Sequence, residues 1–160
     1  MAKNDVQVRR AQAADAERIA EFNRRLASES EGLELDEATV RQGVRRLLEN
    51  PSLGCYFLAE SSAEIVGQLG LTYEWSDWRN GLFWWIQSVY VVPEVRRAGV
   101  FRQLFHAVET QALEDPGCCG LRLYVEGENE RALETYQALG LEQAPYQMLE
   151  LDFTDPDRGS

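Results

Sequence analysis

The stretch that decides the fold is Val89-Tyr90-Val91-Val92-Pro93-Glu94-Val95-Arg96-Arg97-Ala98-Gly99-Val100-Phe101-Arg102. An apolar, β-branched run meets a proline, passes through an arginine-rich turn and opens a helical pattern at Gly99. At a helix start several backbone N–H groups have no intrahelical partner and carry the positive end of the dipole. Glycine at that start lets an anion such as phosphate approach the backbone closely. Arg96, Arg97 and Arg102 add positive charge to a chain whose formal net charge is -11.

Upstream, 82–92 (LFWWIQSVYVV) is apolar on both faces, with Leu82, Trp84 and Ile86 pointing one way and Phe83 and Trp85 the other. Such a strand is expected at the centre of a sheet with helices above and below. Two more strands precede it, 54–61 and 64–74, joined by Ser61-Ser62-Ala63 and by Ser76–Gly81. These connections are short and turn-forming, so antiparallel pairing is expected. Further upstream lie a first strand over 4–11 and a helix carrying Ile19, Phe22 and Leu26. A polar loop over Ser28–Glu34 follows, then a helix capped by Asp36 and stopped at Asn50-Pro51.

Downstream, a helix spans about 99–114, with Leu104, Val108 and Ala112 on its inner stripe. A strand follows at 120–126, then a helix from Asn129 to Leu139 stopped by Gly140, and a last strand at 146–153. The order is β-α-α-β-β-β-α-β-α-β. It describes one α/β domain over residues 1–153 with a mixed, mostly antiparallel central sheet, and a disordered tail over 154–160.

Composition removes several classes of function. The net negative charge disfavours nucleic acid and would steer a cationic substrate inward. No apolar run approaches the roughly 20 residues that span a bilayer, and the first residues lack a secretory signal, so a cytoplasmic address is the default. A single histidine, His106, argues against a metal centre and against Ser-His-Asp or Cys-His catalysis. Three cysteines make no disulfide framework.

The segment around Gly99 resembles the acyl-CoA-binding motif of the GNAT superfamily of CoA-dependent N-acetyltransferases. Its pattern is Gln/Arg-x-x-Gly-x-Gly/Ala, and Arg96 and Gly99 match it while Phe101 stands where the family has a small residue. A second resemblance lies in Leu123–Glu126 followed by Asn129, Ala132, Tyr136, Gly140 and Leu141. The resemblance implies a GNAT-like fold and transfer of an acetyl group from acetyl-CoA to an amine by direct attack, with no metal. It also implies that the amides of Arg97, Ala98, Gly99, Val100, Phe101 and Arg102 cradle the pyrophosphate. The backbone around Val89, Tyr90 and Val91 would pair with the pantetheine arm, Asn129 would cap its helix or bind the cofactor, and a homodimer is admitted.

The chemistry asks for three services. An alkyl amine must lose a proton before it attacks the thioester. The oxyanion needs a fixed donor, supplied in the family by a backbone N–H near Val91. The departing thiolate needs an acid, for which Tyr136 is the candidate. Gln87 and Ser88 occupy positions where relatives place an acidic residue, so Glu74 becomes the candidate base, with Asp77 and Glu126 as alternatives. The acidic run Glu29, Glu31, Glu34, Asp36 and Glu37 would wall the acceptor groove and favour a cationic small molecule or peptide amine. The rival reading is an acyl-CoA-binding sensor or scaffold without turnover.

Overall fold

The computed structural model describes residues 5–158. It divides into two compact units, Met1–Tyr124 and Val125–Ser160. The first holds a five-stranded sheet: β1 (Val6–Arg10), β2 (Gly54–Ser61), β3 (Glu64–Ser76), β4 (Gly81–Val91) and β5 (Cys118–Leu123). The strands lie side by side in chain order. The first three ladders are antiparallel and β4–β5 is parallel. The doubly apolar strand β4 thus lies between β3 and β5, one place off the middle of the sheet.

Helices cover both faces. α1 (Ala16–Glu31) and α2 (Glu37–Glu49) enclose one core, built from Ala16, Ile19, Ala20 and Val44 against Tyr56 and Leu58 of β2. α3 (Val100–Glu114) buries Val100, Leu104, Phe105, Val108 and Ala112 on the other face. Two glycines of β3 mark the division. A methyl on Gly67 would meet Val100 and Leu104, whereas one on Gly70 would meet the Tyr56 ring. Their odd spacing puts them on opposite faces of a period-2 strand. His106 faces solvent.

The polar stretch expected as a loop from Ser28 begins later. α1 runs on to Glu31 because Gly32, in a left-handed conformation, closes the helix there. The Gly32 and Leu33 amides return to the Ser28 and Ala27 carbonyls. α2 starts as its sequence predicts, with Asp36 accepting the Thr39 N–H at 2.9 Å.

In the second unit α4 (Glu130–Ala138) begins at Asn129, whose side chain accepts the Ala132 N–H at 3.1 Å. The strand expected at 146–153 is not formed. The segment has no regular structure, and Leu149, Leu151 and Phe153 are exposed. Alternating apolar residues make a strand only where another strand supplies the ladder, and no described residue pairs with these. Of the expected disordered tail, Gly159 and Ser160 lie outside the described residues, whereas Asp155–Arg158 form a turn. Among the described residues no helix is long and apolar enough to cross a membrane.

Candidate acyl-CoA and acceptor site

β4 is interrupted next to its functional end. Gly70 pairs with Gln87 and Gln68 with Tyr90, so Ser88 and Val89 together oppose Leu69 alone. This is a β-bulge, and Ser88 takes the unusual positive φ of 52° that accommodates it. On its other side β4 pairs with β5 only from Leu82 to Ile86. Among the described residues the bulged end, 87–91, therefore has no strand neighbour on that side in the sheet. The Val92 N–H donates to the Val66 carbonyl, so strand alternation turns the Val91 N–H towards the open side. An extended ligand arm can add there as a strand would.

Beyond Val91 the chain tightens into successive turns. Val95, Arg96 and Ala98 donate to the carbonyls of Val92, Pro93 and Val95. Arg97 and Gly99 both take left-handed conformations, with φ of 68° and 83°. α3 then starts with no side-chain cap at Gly99, and the Gln103 amide makes the first return bond to the Gly99 carbonyl. The amides ahead of Gln103 are those a helix start leaves to caps or ligands. A side chain at Gly99 would point into open space, as an approach path for an anion requires. Phe101, where the motif expects a small residue, leans along the helix towards Phe105, their ring centroids 6.1 Å apart.

The arginines differ in their engagement. Arg96 donates from Nε to the Val91 carbonyl at 2.8 Å and from its guanidinium to Glu29 at 2.6 Å. Glu29 also accepts from the Tyr90 hydroxyl at 2.8 Å. The bonds from Arg96 and then Tyr90 hold the Glu29 carboxyl below its ordinary range. Glu29, read from sequence as part of an acceptor-facing acidic run, is thus tied to the turn before α3. Burial, then the bond to Glu29, raises the Tyr90 phenol.

A cleft of about 510 Å³ opens between α1, α2 and the bulge. Leu26, Leu35, Val40, Val44 and Leu47 give it apolar walls, Asn23, Tyr56 and Ser88 are polar groups within it, and Glu31 stands among its lining residues. Of its polar lining, Glu31 and Ser88 were singled out in the sequence, Glu31 within the acidic run and Ser88 as a position where relatives place an acid. Asn23 and Tyr56 lie on different elements and bear no motif, so nothing local marked them.

The other sequence candidates fall elsewhere. Glu74 pairs with Phe83, at the far end of β4 from Val91, roughly 25 Å of extended chain away. Its carboxylate is bonded to Arg122 at 2.6 Å, and Arg122 lies over the Phe83 ring at 3.6 Å. The structure does not bring Glu74 to the bulged end. Tyr136 and Asn129 belong to the second unit, where Asn129 caps α4 and burial raises the Tyr136 phenol.

A bulged strand of a mixed sheet running into a left-handed glycine turn at a helix start defines an α/β protein with an anion-receptive turn beside an unpaired stretch of strand. The family model for the acetyltransferase (GNAT) family matches residues 16–141, and the chain belongs to that family of acyl-CoA-dependent N-acetyltransferases. It is similar to a possible acetyltransferase from Clostridium difficile 630, with 44% identity and a TM-score of 0.87 over 92% of this chain and 97% of that one. Thialysine N-epsilon-acetyltransferase of Bos taurus is 37% identical over 76 residues, which are 48% of this chain and 44% of that protein. The match thus spans less than half the length of that curated relative. A predicted acetyltransferase with acetyl-CoA from Clostridium acetobutylicum shares the fold at 18% identity, with a TM-score of 0.73 over 92% of this chain and 96% of that one.

Proposed function

We propose that this protein transfers the acetyl group of acetyl-CoA to a cationic amine by direct attack in a ternary complex, residues 1–153 acting as one catalytic domain. The observation that carries the reading is the bulge at Ser88–Val89 leading into the open turn at Gly99. The amides from Arg97 to Arg102 take the pyrophosphate, with Arg96, Arg97 and Arg102 supplying charge. The backbone at Val89, Tyr90 and Val91 takes the pantetheine arm, and the Val91 N–H meets the developing oxyanion.

The amine enters through the cleft beside Ser88, where Glu31 attracts the ammonium and the apolar walls accept its carbon stem. The thialysine relative, whose name denotes a lysine-like amine, supports this choice of acceptor. Tyr136 is the proposed acid for the thiolate, and its raised phenol stays protonated at neutral pH, as an acid must. Glu74 has no part in this scheme, because Arg122 holds it at the other end of β4.

The test is thiol release from acetyl-CoA across a panel of amines. Release with cationic amines is expected, and Tyr136→Phe should slow it roughly 10²-fold while acetyl-CoA still binds. Binding of acetyl-CoA without thiol release would instead mark a sensor or scaffold, and unchanged turnover in Tyr136→Phe would remove that phenol from the mechanism.

A further inference from the structure

Behind the cleft runs a hydrogen-bonded relay that no motif announces. Gln68, on β3, is fully buried. Its Nε2 donates to the Ser88 carbonyl at 3.0 Å and to Asn23 Oδ1 at 2.7 Å. Asn23 in turn donates from Nδ2 to the Tyr56 hydroxyl oxygen at 3.1 Å. The relay therefore joins the β4 bulge, through β3 and α1, to a phenol on β2.

Its direction is set at the backbone end. A carbonyl can only accept, so Gln68 must present its NH₂ to Ser88. The second proton of that NH₂ then faces Asn23, which must answer with its oxygen and turn its own NH₂ towards Tyr56. Reversing the Gln68 amide would place its oxygen against two others. In this orientation Gln68 Oε1 is buried and has no hydrogen-bond partner among the described residues. Tyr56 is thus the accepting end of the relay, and its own O–H proton remains to be donated. Asn23, Tyr56 and Ser88 all line the cleft.

We infer that Tyr56 is a specificity residue: it donates a hydrogen bond to an oxygen of the acceptor, so the enzyme selects amines that also carry a carboxylate or hydroxyl. Gln68 and Asn23 are positioning residues that act through Tyr56. The inference rests on the reading of this cleft as the acceptor groove. A cleft with mainly apolar walls and few polar groups is one in which a single directed donor discriminates, because an acceptor lacking the oxygen leaves that donor unmatched.

The test uses matched pairs: lysine against cadaverine, and diaminopropanol against diaminopropane. Each is titrated calorimetrically into protein saturated with CoA, which can transfer no acetyl group. Wild type is expected to bind the oxygen-bearing member about tenfold more tightly. Tyr56→Phe should abolish the preference. Asn23→Asp should do the same with the phenol still present, because a carboxylate draws the Tyr56 proton away from the cleft. The ratio within each pair is the readout, since the new charge affects both members. A ratio near one in wild type, or one that survives in either variant, overturns the inference. Thiol release from acetyl-CoA is scored separately. Release without a preference keeps acetyl transfer and removes Tyr56, whereas a preference without release keeps the role of Tyr56 and removes acetyl transfer.

Discussion

Glu29 and Arg96 are bonded at 2.6 Å, joining the last turn of α1 to the turn that precedes α3. Both side chains are nearly half exposed, so the pair contributes little stability. Its consequence is electrostatic: it sets a carboxylate beside the turn proposed to hold a pyrophosphate. Glu29→Gln removes that charge and releases the Arg96 guanidinium. Acetyl-CoA should then bind about two- to fivefold more tightly at low salt, with the gain shrinking as ionic strength rises. Calorimetric titration at two salt concentrations checks this, and a weaker complex would show that Glu29 holds Arg96 in its binding pose.

Gly99→Glu tests the turn itself. The position has a φ of 83° and open space where a side chain would project, so the cost to folding is backbone strain of roughly 1–3 kcal/mol. The new carboxylate would project along the path a phosphate needs. Loss of acetyl-CoA binding by calorimetry, with a cooperative thermal transition retained, is the expected result. Binding at wild-type strength would place the phosphates elsewhere.

Acid stability should depend on Asp15. Its carboxylate takes two bonds from the Arg9 guanidinium at 2.9 Å each and the Gln12 N–H at 2.7 Å, and its side chain is only 11% exposed. The Arg9 bonds, against the opposing effect of burial, hold its pKa below the ordinary 3.8. A depressed carboxylate stabilises the fold fully above its unfolded value and loses that contribution as pH falls from about 3.8 through the folded one. Asp15→Asn should cost about 1–3 kcal/mol near neutral pH and flatten the acid limb of stability. Urea melts between neutral pH and pH 2 measure both, and an unchanged acid limb would clear Asp15 of the effect.

Much of the fold was legible because its signals are local. Alternation and short turns placed β2, β3 and β4 to within two residues. Asp36 and Asn129 announced their helices by cap chemistry, and Gly99 announced the turn before α3. The strand expected at 146–153 failed for the complementary reason: alternation records a capacity to pair, and pairing needs a partner from outside the segment. Candidate residues divided the same way. Gly99 belongs to a contiguous motif, and its left-handed place at the start of α3 was legible. Glu74 was chosen for its chemistry and its nearness in sequence, and the β3–β4 register carries it to the wrong end of the ladder for that role.

The sequence by itself determined that a buried strand must run into a glycine-started helix. That instruction lies within fourteen consecutive residues, whose preferences need no distant contact to be expressed. Only the tertiary structure decided where β4 would bulge, that Glu29 would hold Arg96, and that Gln68 would direct Asn23 and Tyr56. Each of these joins groups separated by 20 or more positions, and hydrogen bonds over such separations exist only once strands and helices have packed. Their directions follow from geometry that no linear pattern records.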